Sequence, residues 1–265
     1  MFNIFRRLWQ VNWAEQWQYR ANLIMYLLYW LVSPIIYLAV WTSIASSKGS
    51  VNGMTVNDFT TYYLTLLIVD QITSNIVIHT FAYKIQDGTL SGELVRPIHP
   101  ILNNALVNNI AFKALTILGF IPIWIVLYFL YKPDFNSVTP ASILISIPAM
   151  IIGFFVGFLL SASITALAFW TTRVYSIHEF YFALMLLFSG QFVPLTLMPP
   201  VIQEIARYLP FQLMIYFPVE LILGNLTQAQ IIQGFASGLI WLTISILAFN
   251  AIWRNGIKRY SAVGA

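Results

Sequence analysis

The sequence predicts an all-α integral membrane protein. It should have six transmembrane helices, an N-terminal amphipathic interfacial helix, and a re-entrant helical hairpin between spans five and six. Three observations carry that expectation. Of 265 residues, 59% are hydrophobic and only 8% charged, about a third of the charged complement of an average soluble domain. A globular fold of this length cannot hide so much apolar surface and still offer water a polar exterior. Aromatic residues reach 16%, including nine Trp and fourteen Tyr, which suits a chain crossing two membrane interfaces. Finally, the apolar stretches recur at about the 20 residues that span a bilayer. Soluble enzymes are excluded. The absence of cysteine also excludes a disulfide scaffold, a thiolate zinc site, iron–sulfur ligation and a cysteine nucleophile. No cleavable signal peptide is expected, because residues 1–20 hold three Arg and no uninterrupted apolar run.

Taken in order, residues 1–20 place Phe5, Trp9, Trp13 and Trp17 at i+4 spacing, with Phe2 and Leu8 beside them and Arg6, Gln10 and Asn12 elsewhere on the wheel. Stacked Trp next to Arg suits a helix lying in the headgroup plane. The other reading makes it an extension of a tilted first span. The spans are expected at 21–46, charge-free; 59–83, apolar except Asp70 and His79; and 105–131, with Lys113 near its start. They continue at 142–170, again charge-free; 180–197, ended by Pro194, Pro199 and Pro200; and 231–253. Length and absence of charge carry these assignments, because lipid-facing helices are apolar all round.

Basic residues give the sidedness. Arg6, Arg7, Arg20, Lys84, Arg96, Lys113, Arg173, Arg254, Lys258 and Arg259 fall on the side of the termini, against Lys48, Lys132 and Arg207 opposite. That bias puts both termini in the cytoplasm; the membrane is expected to be a bacterial inner membrane. All connections are short, so residues 1–265 should form one membrane domain. The 191–228 region is too broken by prolines for one helix and too apolar for an ordinary loop. Its 201–209 stretch alternates apolar residues with Gln203, Glu204 and Arg207, and 211–223 is too short to span. Non-helical backbone at membrane depth requires protein or enclosed water for its hydrogen bonds. A short hairpin dipping back from the outer face is expected, with a loosely structured loop as the alternative.

The 84–100 loop is the most informative stretch. Gly88 permits a sharp turn, residues 91–95 can make one helical turn with Leu90 and Leu94 on one side and Glu93 projecting, and Pro97 and Pro100 end it. A short helix below the membrane suits docking to a soluble partner, although the loop by itself reads better as a plain connector. Its run Gly88-Thr89-Leu90, Leu94 and Arg96-Pro97 after the second span resembles the permeases of the type-2 ABC exporter family. Ser189-Gly190, Pro194-Leu195, Pro199, Leu209-Pro210-Phe211 and Phe217-Pro218 resemble the fifth span and external hairpin of the same permeases. The resemblance covers nearly the whole chain and is closest to the drug-exporter-like, multidrug-efflux branch.

That resemblance implies roles. Gly88, Thr89, Leu90, Glu93, Leu94, Arg96 and Pro97 would form the coupling helix against an ABC ATPase subunit dimer, with Leu90 and Leu94 as its apolar anchor. The Trp-rich helix would be an elbow, and Pro194, Pro199, Pro210 and Phe211 would belong to an external gate. A second permease, identical or paralogous, would complete a dimer. The cargo would be an amphipathic small molecule, a cationic drug-like compound being one candidate; a polysaccharide or lipid exporter of the same fold, or a non-transporting scaffold, is the alternative. No G-x-x-x-x-G-K-[ST] phosphate loop occurs in the chain. It is therefore expected to be no enzyme and to bind no cofactor, ATP and Mg residing on the partner. Membrane lipid is an expected partner and nucleic acid is not.

Asp70 sits near the middle of the second span, followed by Gln71, Thr73, Ser74 and Asn75. An intramembrane carboxylate suggests a functional site, and three readings stay open. It lines the translocation path, it is a buried hydrogen-bonded structural group, or the span is shifted so that it nears the outer interface. His79 is expected at the interface and His99 and His178 in cytoplasmic loops, with no metal-ligand spacing. Gly153, Gly157 and Ser161 form a small-residue stripe that packs either within the chain or at a dimer interface. Asn225-Leu-Thr227 fits the glycosylation pattern by chance. No Gly-x-Ser-Gly nucleophile for intramembrane proteolysis is present. A secondary transporter would need paired broken helices, and only the fifth span looks broken.

Overall fold

The computed structural model describes residues 2–260, apart from the side chains of residues 2–5, 20, 79, 80, 103 and 104. The expectations for the side chains of Phe2, Phe5 and His79 lie outside the described residues. Eleven α-helices and a few short π and 3-10 turns make up the described chain, with a single bridge, Val51–Met54, in a turn. Four stretches are long and apolar enough to cross a membrane: Ala21–Lys48, Ala105–Tyr131, Pro140–Phe169 and Gln228–Arg259.

Helix α1 (Phe2–Gln18) is separated from α2 (Arg20–Lys48) by Tyr19 alone. It folds back onto α6 (Asn108–Tyr131): Asn108 Nδ2 donates to Asn12 Oδ1 at 3.1 Å, and Trp13 packs with Leu23, Phe112 and Leu115. Trp17 is exposed. Three helices that begin at the same end of the bundle open with reciprocal capping boxes. Thr55 pairs with Asp58 for α3 (Val56–Thr73), Thr139 with Ser142 for α7 (Pro140–Ala166), and Thr227 with Gln230 for α11 (Gln228–Arg259). Thr227 thus has a structural task in the sequence that matches the glycosylation pattern, and Asn225 Nδ2 donates to Glu220 Oε2 at 2.8 Å.

Helix α7 is the hub. It packs against α3, α4 (Val77–Gln86), α8 (Val174–Phe188), α10 (Tyr216–Leu223) and α11. Its glycines explain the intimacy. A Cβ on Gly153 would collide with the Leu213 carbonyl oxygen, and one on Gly157 would touch Asn75 and Met214. The face bearing Gly153 and Gly157 therefore seats the chain's own 211–215 backbone. Ser161, fully buried, continues it.

Two expected spans differ. Residues 59–83 do not form one helix: α3 ends at Thr73 and α4 starts at Val77, with 74–76 unwound. A break therefore exists in the first half of the chain as well as near the fifth span. A residue 39 positions away caps it. Lys113, counted above with the loops, is buried inside α6, and its ammonium donates to the Gln71 carbonyl at 2.8 Å and to Ser74 Oγ at 2.9 Å. The cation satisfies a carbonyl at the C-terminal end of α3, where the helix dipole favours positive charge. Expected span 180–197 also shifts. Helix α8 starts at Val174 and stops at Phe188 because Gly190 turns the backbone with φ +84°. Its 15 residues reach about 22 Å, short of the roughly 30 Å hydrocarbon core.

Candidate functional site

At one end of the bundle the 87–100 segment is welded to its own chain. Gly88 is buried with φ +86°, and Asp87 Oδ1 accepts from the Thr89 amide at 3.0 Å and hydroxyl at 2.7 Å. Those hydrogen bonds hold the Asp87 carboxyl below its ordinary pKa. The Tyr260 hydroxyl donates to the Gly88 carbonyl at 2.6 Å and accepts from the Ser91 amide at 3.1 Å. Lys84 Nζ lies 2.7 Å from Glu93 Oε1. The single turn α5 (Ser91–Leu94) follows. Leu90 is 0% exposed, packed among Val77, Phe81, Ile85 and Ile101, and Leu94 packs half-buried on the same cluster. The expected apolar anchor is thus largely consumed internally, and Glu93 turns toward Lys84 rather than projecting. What faces outward is Thr89, Gly92, Val95 (84% exposed), Arg96 and Pro97.

Tyr260→Phe is expected to remove both hydroxyl bonds at a cost of about 1–2 kcal/mol while keeping the ring, whose centroid lies 5.8 Å from that of Phe169. Hydrogen exchange at the Ser91–Leu94 amides should accelerate roughly tenfold, with α7 and α11 unchanged. Unchanged exchange would mean that the clamp does not hold the loop.

At the opposite end the 189–223 backbone is sealed by side chains that reach across the fold. The hydroxyls of Tyr62 and Tyr63 donate to the Gly190 and Phe192 carbonyls, both at 2.8 Å. Trp41 Nε1 adds a bond to Phe192 at 3.0 Å, and Trp241 Nε1 donates to the Tyr208 carbonyl at 3.0 Å. The Tyr216 amide closes on the Ser189 carbonyl at 2.9 Å. Such partners are what irregular backbone needs in a low-dielectric setting. Pro194, Pro210 and Phe211 are buried and Pro199 exposed. Proline at residue 199 precedes α9 (Pro200–Tyr208), and Pro210 precedes the 3-10 turn Phe211–Leu213. The Phe211 ring lies 5.6 Å from Tyr181 and 6.4 Å from Phe188.

Between these ends lies a cavity of about 170 Å³ bounded by α2, the end of α3, α8 and the 191 and 214–215 backbone. Asp70 lines it at 5% exposure, four residues before the unwound segment, and Gln191 at 3%. Asp70 Oδ1 and Gln191 Oε1 are buried without a hydrogen-bond partner. His178, expected in a loop, is on α8 and lines the same cavity, as does Glu179. His99 does lie in the loop, its ring 4.8 Å from that of Trp253. Among the described residues no group of three or more His, Asp or Glu is placed to hold a metal. Sequence reasoning missed Gln191 and Tyr260, which carry no pattern of their own. Lys113 carried a signal, a cation well inside an apolar run.

A helical bundle that crosses the membrane several times, with a broken helix and an interior cavity holding a buried carboxylate, has the make-up of a permease. Over residues 21–264 the chain matches the family described as ABC-2 family transporter protein, and it belongs to that family. It is accordingly a permease component of an ABC transporter, and membership implies association with an ABC ATPase subunit. A comparison with individually curated proteins finds no match.

Proposed function

We propose that this chain is the membrane subunit of an ATP-driven exporter that moves an amphipathic small molecule out of the cell. In this reading residues 1–265 form one domain crossing the inner membrane six times, with α3 and α4 together as the second crossing and α8 extended by the sealed 189–199 backbone as the fifth. Both termini and the 84–100 loop lie in the cytoplasm. A second permease completes the pathway, and a separate ATPase dimer supplies the energy. Residues 191–228 re-enter from outside, with Pro194, Pro199, Pro210 and Phe211 in the external gate. The cavity beside Asp70 belongs to the pathway.

The observation that carries this reading is the two-faced 87–97 loop. Its inner face is fixed by Tyr260, Lys84 and the Leu90 cluster, and its outer face offers Val95, Arg96 and Pro97. A rigid loop with an exposed apolar point can transmit a partner's motion to the helices it is fastened to. Epitope-tagged chain should co-purify with an ABC ATPase subunit whose hydrolysis is coupled to export. A cysteine placed at Val95 in this cysteine-free chain should resist an impermeant thiol reagent in intact cells and react in inverted vesicles. Labelling in intact cells would overturn the topology, and isolation without any ATPase would overturn the exporter reading.

A further inference from the structure

We infer that the cavity beside Asp70 is a binding site for the cationic head of a small organic cation, a quaternary or tertiary ammonium carried next to one ring. The inference rests on the exporter reading and assigns the charge and size of the group that its pathway recognises.

Two residues that line this space each keep a buried acceptor oxygen without a partner. Asp70 Oδ1 and Gln191 Oε1 come from elements 121 positions apart, the end of α3 and the turn after α8, and both residues line one cavity. Buried polar oxygens left unpaired are rare because each forfeits its hydration, and two at one cavity point to a ligand that supplies positive charge. Donor-rich neutral ligands would also satisfy them, but the surroundings favour a cation. Trp30, Tyr37 and Tyr181 line the cavity, and aromatic rings attract ammonium groups; Glu179, a second acidic residue, lines it too.

Lys113 is the charge to weigh against this. Its ammonium is occupied by the Gln71 carbonyl and Ser74 Oγ, and it does not line the cavity. Its charge acts on Asp70 through space, without the direct contact seen in the ion pairs Lys84–Glu93 and Arg207–Glu204. Asp70 therefore keeps an oxygen without a hydrogen-bond partner. The volume sets the size. About 150 Å³ accommodates benzene, so about 170 Å³ takes an ammonium head or one ring and leaves the rest of a larger molecule outside.

The test is binding of radiolabelled benzyltrimethylammonium to the purified full chain in lipid nanodiscs, with neopentylbenzene, its uncharged isostere, as competitor. Binding should be saturable and resist the isostere. Asp70→Asn should weaken it about tenfold to a hundredfold, Asp70→Glu should largely preserve it, and Gln191→Glu, which adds a carboxylate, should tighten it. Absence of saturable binding to the unmodified chain would overturn the inference, as would equal displacement by the isostere. If Asp70→Asn fails to fold, the isostere competition and Gln191→Glu still decide. Co-purification of the ATPase with the unmodified chain is scored separately. Cation binding without an ATPase would sink the exporter reading and leave the site standing; an ATPase without cation binding would do the reverse.

Discussion

Gly190→Ala is expected to destabilise the chain by roughly 2–4 kcal/mol, combining left-handed backbone strain with loss of a buried hydrogen bond. The backbone at Gly190 has φ +84°, where a Cβ is strained whatever the space. Here there is no space either. The added carbon would lie 2.7 Å from the Tyr62 hydroxyl and 3.0 Å from Tyr216 Cβ. Relief requires Tyr62 to move, and moving it breaks the 2.8 Å bond to the Gly190 carbonyl. Tyr62→Phe removes the clashing oxygen and the bond together, so the double variant should be less destabilised than the sum of the singles. Gly92→Ala is the control, since nothing lies within 4 Å of its added carbon, and it should melt like the unmodified chain. Thermal unfolding in detergent measures all four. A Gly190→Ala melting temperature within a degree of the unmodified value would mean that the hairpin is not seated on α3 as described.

The same region marks how much of this fold the sequence discloses. Apolar run length is a one-dimensional quantity, so the 105–131 span agrees to the residue with its candidate stretch, and the first, fourth and sixth fall close. The prolines at 194, 199 and 210 announced irregular backbone for the same reason: each lacks a donor and restricts its neighbour. Other features depend on what lies across the bundle. The break at 74–76 is capped by Lys113 on the Gln71 carbonyl and the Ser74 hydroxyl, and nothing local to Ser74 and Asn75 specifies that a cation will arrive from α6. The phase of α5 was equally hidden, because one helical turn is too short to show a period. Leu90 and Leu94 look like an exposed apolar edge until Phe81 and Ile101 are seen to cover them. Asp70 was legible as an unusual carboxylate but its cavity was not, since Gln191 reaches it only through the turn that Gly190 makes.

Burial also separates aspartate substitutions at Leu90 and Val95, five residues apart, and their contrast tests how the loop works. Val95→Asp is expected to abolish ATP-driven export while leaving the chain folded and inserted, because Val95 is 84% exposed and packs on nothing in this chain that its loss would unseat. If Val95 enters an apolar recess on the ATPase, burying it contributes about 1.5–3 kcal/mol, and an unpaired carboxylate there costs several kcal/mol more. Association should fall at least about a hundredfold. Leu90→Asp should fail differently. Its carboxylate would enter the apolar cluster of Val77, Phe81, Ile85 and Ile101, and the neighbouring Lys84 ammonium is already held by Glu93, so the chain itself should lose stability by roughly 3–5 kcal/mol and accumulate poorly. Leu94→Asp, half-buried, should show part of each defect. Membrane abundance, melting temperature and ATPase co-purification tell the three apart. A Val95→Asp chain that retains full ATPase association would show that the exposed face of the loop is not the docking face. Poor folding of that variant would instead mean that Val95 is held by the chain in the assembled protein. The loop can act as a lever only if its two faces fail in these two separate ways: one by releasing the motor, the other by losing the fold that the motor moves.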